Sequence, residues 1–376
     1  MSDVDWTRIS KIFQCPHSRK SLTILSSSEL EFINRQIANG HRTHHDGSPV
    51  KAAPLSLAIA TPDRRYIYLI DQDIALLLPA LAIVSPDETH SVENDVKIID
   101  NKCIVMDFYN QFGWLKNNEG YYNDTATFTC TRPVAQCYVE RCNGRIAAQL
   151  RGGTYILDAG SGAIPHPSYH QNYEFRICID FSIQALREAQ KKLPEGKAIF
   201  VLGDLTSLPI ADSVIDDAIS LHTIYHIPDE LQNAAVEELV RILKPGGRTI
   251  IVYAWGRSPF MDTIAFVWKC KRSLFRTASQ DPEKLTFSVP PLYCCAKGRD
   301  WFRSLQIKYG AELRLWSSTS GLFHDIFFRE NRRGRFLAQL VFLAESVAEP
   351  LAAWYGQYPM FVIAKINSTD SVIGDI

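Results

Sequence analysis

Residues 151–376 predict a doubly wound α/β fold, a parallel sheet covered by helices on both faces. Three observations carry the prediction. Short apolar runs alternate with helical segments between Thr154 and Tyr253. The first three runs close on Asp158, Asp180 and Asp204. A glycine-bearing turn, Gly160-Ser161-Gly162, follows the first of them. Alternation of this kind implies parallel strands joined through helices.

The elements follow in order. Residues 155–157 are the first apolar run and 175–179 the second. Residues 182–193 then carry apolar and small side chains at helical spacing, and Pro194 stops them. Residues 198–202 are the third run, ending at Gly203-Asp204, and 217–221 the fourth. An amphipathic helix is expected over 230–243, broken by Lys244-Pro245-Gly246-Gly247 before a fifth run at 249–253. Residues 312–316 and 360–366 have the pattern of two late strands, with a helical insertion near 256–310.

Upstream, residues 1–84 form a small module of short strand-like runs, with a polar insert over 39–49. Residues 85–100 are an acidic linker, and 104–150 read as helices weighted by Phe108, Tyr109, Phe112 and Trp114. The expected division is therefore 1–84, a linker and lid helices over 85–150, and a catalytic domain over 151–376.

Composition narrows the class. Of 376 residues, 46% are hydrophobic and 22% charged, as in ordinary globular proteins. A formal net charge of −1 supplies no global field toward nucleic acid, and Arg332, Arg333 and Arg335 read as a solvated helix face. Nine scattered cysteines suit a reducing compartment, and residues 1–12 lack the pattern of a secretory leader. The apolar stretches 74–84 and 336–354 are short or interrupted by Gln339, Glu345, Glu349 and Pro350, so both read as buried elements. The expectation is a cytoplasmic protein acting on a small molecule, without nucleic acid or integral membrane association.

In a doubly wound sheet the ligand lies beyond the carboxyl ends of the strands. Gly160 and Gly162 let the backbone turn and approach a ligand closely. Asp180, 22 residues after Asp158, suits both hydroxyls of a ribose. Asp204 suits an adenine amino group, with Leu205 against the ring. A dinucleotide fingerprint requires a third glycine where this chain has Pro165. Asp158 would repel a pyrophosphate and attract the amino group of a methionyl ligand. Each residue also has a structural reading: Asp158 as a helix cap, Asp180 as a strand end, Asp204 as turn chemistry, Leu205 as core.

The segment from Tyr155 to Tyr253 resembles a class I S-adenosylmethionine-dependent methyltransferase of the ubiquinone-biosynthesis type. The matching pieces include Leu157-Asp-Ala-Gly-Ser-Gly162, Cys178-Ile-Asp-Phe-Ser182, Gly203-Asp-Leu205, Leu208-Pro209, the stretch from Ser220 to Asp229, and Leu239-Val-Arg-Ile-Leu-Lys-Pro-Gly-Gly247. The resemblance implies a seven-stranded Rossmann-like sheet with its last strand antiparallel. It also implies S-adenosyl-L-methionine held by Asp158, Ala159, Gly160, Gly162, Asp180, Phe181, Asp204 and Leu205. The chain departs at Ile164, where the family has glycine.

The first eighty residues resemble the zinc-ribbon-like module of the Trm112 methyltransferase activator, through Phe13-Gln-Cys-Pro-His-Ser18 and the stretch from Tyr68 to Pro79. Ser18 stands where a metal-binding version has cysteine, so no zinc is expected. His41, His44 and His45 read as a polar loop.

His222, Tyr225 and His226 follow the fourth strand, over the expected methyl group. They are candidates for base catalysis, or for packing against the acceptor. Tyr109, Trp114, Tyr121 and Tyr122 are expected to form a lid. Together these readings predict methyl transfer to a small or medium-sized acceptor at oxygen. A cofactor-binding scaffold that activates a partner is the alternative.

Overall fold

The computed structural model describes residues 4–51, 54–89, 96–126, 132–274 and 290–366, with 96–99, 126 and 268–274 described by backbone alone. The first part carries α1 (Trp6–Ile9), α2 (Ser27–Ala38) and six short strands: β1 (Thr23–Ile24), β2 (Thr43–His44), β3 (Ala58–Ala60), β4 (Ile67–Asp71), β5 (Ile74–Leu76) and β6 (Ile83–Val84). A capping box starts α2, with Ser26 and Glu29 each bonding the other's backbone amide.

Next come α3 (Val96–Phe108), a π turn over Tyr109–Gly113, α4 (Asn123–Ala126) and α5 (Pro133–Ala147). The main sheet then unfolds as β7 (Gly153–Ala159), β8 (Tyr173–Asp180), α6 (Ile183–Gln190), β9 (Ala198–Leu202), β10 (Ile215–Leu221), α7 (Gln232–Arg241) and β11 (Leu243–Val252). Helices α8 (Pro259–Leu274) and α9 (Arg299–Tyr309) lead to β12 (Glu312–Ser317). Helices α10 (Gly321–Phe327), α11 (Arg332–Val347) and α12 (Glu349–Tyr355) separate it from β13 (Tyr358–Ala364).

The strand order is β9-β8-β7-β10-β11-β13-β12, with β13 antiparallel to both neighbours. The chain runs outward through β8 and β9, then returns to β10 on the other side of β7. That reversal is the switch point where such sheets bind ligands. Its strands are buried on both faces and are therefore apolar almost throughout, with Ile156, Leu157, Ile177, Ile179, Ile219 and Ile250 fully enclosed. The predicted strands are all present. The helix predicted over 230–243 starts as a 3₁₀ turn and stops at Arg241, because β11 already begins at Leu243 and absorbs Pro245-Gly246-Gly247.

The N-terminal strands join this sheet. Hairpin β4–β5 lays β5 parallel to β9, pairing Ile74 with Phe200 and Leu76 with Leu202. An edge that would otherwise expose unpaired backbone groups is thereby covered. Phe13, Tyr68 and Leu77 share one core with Val201, Leu208 and Ile210. Arg19 reaches across to α7 with its Nη1 and Nη2 each donating to a Glu238 carboxylate oxygen at 2.9 Å.

One composition reading is corrected. The stretch 74–84 is buried, but 336–354 is largely not: Phe336, Leu343 and Val347 of α11 are 67%, 60% and 81% exposed. The fully buried residues of α11 are Gly334, Ala338 and Glu345. An apolar helix usually implies burial; here Leu337, Val341 and Phe342 pack inward beside them, while Phe336, Leu340, Leu343 and Val347 lie on the opposite face.

Candidate active site

At the switch point the loops after β7 and β10 touch. Gly160 has φ 74°, and a Cβ there would lie 2.4 Å from the Thr223 side chain. Gly162 has φ 59°, and its Cβ would lie 2.8 Å from the Trp114 indole. Only glycine satisfies both the left-handed backbone and the close approach at these two positions. Between these loops and α3–α5 is a cavity of about 920 Å3. It is at the upper end of the roughly 300–1,000 Å3 span of ligand clefts.

Parallel register aligns the strand ends, so three carboxylates reach the cavity wall together. Asp180 closes β8, buried, accepting the amides of Gly162 and Ser182 at 2.8 Å each. Burial raises its pKa to about 6 against those two bonds. Asp158 closes β7 and is ion-paired with Arg176 of β8, both side chains being buried. Arg176 also donates to the His166 carbonyl at 2.7 Å. Asp204 accepts from Thr206 through its backbone amide (2.8 Å) and hydroxyl (2.7 Å), and from Lys102 of α3 at 2.6 Å. Phe181 and Leu205 line the cavity beside them, and Leu205 also packs in the main core.

Not every predicted residue reaches the wall. Ala159 is fully buried in the core and does not line the cavity. Tyr225 packs with its ring centroid 4.5 Å from His226, 5.7 Å from Tyr253 and 6.3 Å from His222, behind the lining. Burial holds its phenol well above the ordinary tyrosine range, so it stays protonated.

His222 and His226 do line the cavity. His222 has φ 58°, a left-handed backbone uncommon outside glycine, and its ring meets Trp316 edge-on at 4.6 Å. Burial lowers its pKa to about 4. His226 Nδ1 is 2.8 Å from the Tyr293 carbonyl. A carbonyl only accepts, so Nδ1 carries the proton and Nε2 is left as an acceptor. Burial lowers the pKa of His226 as well, keeping the ring neutral at pH 7.

The π turn between α3 and α4 places the aromatic cover. Tyr109 and Trp114 stack at 5.6 Å and both line the cavity, whereas Tyr122 is buried and donates to Glu188 at 2.8 Å. Tyr121 is an exposed residue outside the lining.

Arg176, Lys102, Asp124 and Trp316 line the cavity and escape the sequence reading. Arg176 did leave a signal, as the one charged residue in the apolar run 175–179, where burial demands a partner. Lys102 and Asp124 left none. Burial raises the Asp124 carboxyl to about 6. In the N-terminal part, Cys15 is within 3.4 Å of the Tyr68 hydroxyl and His17 is 2.9 Å from the Pro79 carbonyl. Among the described residues no group of three or more His, Cys, Asp or Glu is placed to hold a metal.

A switch-point crevice with a two-glycine loop and three aligned carboxylates defines a Rossmann-like enzyme that binds a nucleoside-bearing cofactor. Residues 157–251 match the methyltransferase domain family. The chain therefore carries a class I S-adenosylmethionine-dependent methyltransferase domain. It is 31% identical over 107 residues to the demethylmenaquinone methyltransferase of Paenarthrobacter aurescens, covering 28% of this chain and 40% of that protein. It is 34% identical over 120 residues to a tRNA (carboxymethyluridine(34)-5-O)-methyltransferase of Arabidopsis thaliana, covering 32% of this chain and 28% of that protein. The chain thus spans less than half the length of these curated relatives. Among solved structures it is similar to the magnesium protoporphyrin IX methyltransferase of Synechocystis with bound SAH. There the identity is 16% and the TM-score 0.41, over 71% of this chain and all of that one. Since one relative is by name a tRNA methyltransferase, the comparisons lend no support to excluding nucleic acid.

Proposed function

We propose that the protein transfers a methyl group from S-adenosyl-L-methionine to oxygen of a small or medium-sized acceptor. The observation that carries this reading is Asp180, a buried carboxylate at the switch point that holds the Gly162 amide and faces the cavity. Its remaining lone pairs suit the two hydroxyls of a ribose. Asp158 and Arg176 offer one charge of each sign to the other end of the cofactor, the methionyl zwitterion. Asp204 has one acceptor site beyond Thr206 and Lys102 for the adenine amino group, with Leu205 against the ring.

When bound, S-adenosyl-L-methionine supplies an electrophilic methyl group on a sulfonium. The chain's own contribution is alignment and exclusion of water, for which Tyr109 and Trp114 form the cover. His226 Nε2 takes the acceptor's proton as the oxygen attacks, and Tyr225 positions both imidazoles from behind. Asp124, with its raised pKa, is the second group able to take that proton.

Isothermal calorimetry tests the cofactor: S-adenosylhomocysteine should bind on the order of 8 kcal/mol, and NAD should not. Tighter NAD binding overturns the reading. Incubation of labelled cofactor with metabolite extracts, followed by mass spectrometry, identifies the acceptor and the methylated atom.

A further inference from the structure

The large apolar residues left exposed are concentrated on the helices outside the main sheet. On α11, Phe336, Leu340, Leu343 and Val347 recur at intervals of four, three and four residues, which is one stripe along the helix. The stripe lies opposite the packed face of Gly334, Ala338 and Glu345. Neighbouring helices add Phe266 and Val267 on α8 and Leu351 and Tyr355 on α12. Soluble surfaces rarely hold so many apolar side chains on adjoining elements without a use for them.

Charge indicates what covers the stripe. Arg332, Arg333 and Arg335 are exposed in the first turn of α11. The only acid on that helix is Glu345, buried and bound by Tyr138, Ser318 and Arg145. The exposed face of α11 is thus apolar with a basic end and no exposed acid, the pattern of an in-plane helix at an anionic interface. Among the described residues no single helix is long and apolar enough to cross a membrane. The pair α11–α12 meets that test only together, and it is bent by 104°.

We propose that α11, with α8 and α12, docks the protein onto the surface of an anionic bilayer. The docking stands on the exposed stripe and the arginines at its end, and is independent of the methyl-transfer reading above.

Vesicle flotation tests the docking. The full chain should float with phosphatidylcholine vesicles containing phosphatidylglycerol, and high salt should weaken the association. Phe336→Glu with Leu343→Glu should lower partitioning by about tenfold or more. Arg332→Gln with Arg333→Gln should lower it by roughly tenfold. Both variants should keep the wild-type melting temperature and S-adenosylhomocysteine affinity, since all four side chains are exposed. Failure to float, or flotation unchanged in the Phe336/Leu343 variant, overturns the proposal. So does a dimer dispersed by that variant with no vesicle binding, which would assign the stripe to a second copy. Loss of cofactor binding in wild type would instead strike the methyl-transfer reading and leave the docking result standing.

Discussion

Arg176 on β8 and Asp158 at the end of β7 form an ion pair inside the cavity wall, their side chains 1% and 5% exposed. Such a pair is costly to desolvate, so its value lies in what else the two charges hold. Removing the arginine leaves the carboxylate buried without a counter-charge.

Arg176→Met is therefore expected to destabilise the fold by about 3–5 kcal/mol, measured by urea unfolding. The double variant with Asp158→Asn should recover part of that loss. Arg176→Lys tests the methionyl role under milder conditions. It should weaken S-adenosylhomocysteine more than 5′-deoxy-5′-methylthioadenosine, which has no amino-acid end. Equal weakening of both ligands would make the pair purely structural.

Asp180 sets a pH dependence. Its pKa is raised to about 6 in the folded, ligand-free protein. An acid raised on folding is released first by the unfolded chain, so this group lowers stability as pH climbs from about 4 to 6. Ribose hydroxyls donate to the ionised form, so binding expels the proton. Affinity for S-adenosylhomocysteine should rise about tenfold from roughly pH 5 to 7 and then level off. Calorimetry of Asp180→Asn should show weak binding without that slope. A slope that survives the substitution would implicate another group.

Gly162→Ala confronts both a left-handed backbone and the Trp114 indole. The change should cost about 1–3 kcal/mol of stability and push Trp114 from its place over the loop. Tryptophan fluorescence and cofactor affinity should change together. Wild-type affinity would show that the loop adapts.

Proton removal separates His226 from Asp124. If His226 is the base, His226→Gln should lower kcat by roughly a hundred- to ten-thousandfold with cofactor affinity nearly intact. Asp124→Asn should then have a small effect on kcat. The reverse ranking would move the role to Asp124, and activity would then rise with pH through about 6, where that carboxyl ionises. A raised KM for the acceptor in His226→Gln, with kcat unchanged, would reduce the imidazole to packing.

The alternation of apolar runs, the glycine turn and the acids at 158, 180 and 204 were legible because they are local. Strand period, turn conformation and residue spacing are properties of short segments. Glycine at 160 and 162 is required by backbone shape, and that requirement is written at those positions. The late strands were legible for the same reason, though their order in the sheet was implied only through resemblance.

What tertiary structure alone decided involves residues far apart in the chain. Lys102 meets Asp204 across 102 positions, Trp114 covers Gly162, and β5 pairs with β9. No spacing rule encodes such meetings, because they depend on how separate elements pack. The same limit explains Phe336 and its neighbours. Periodicity marked an apolar helix, but an apolar face reads alike whether it meets a core or the outside. Packing turned Gly334 and Ala338 inward with Leu337, Val341 and Phe342 beside them, and so left Phe336, Leu340, Leu343 and Val347 on the exposed side.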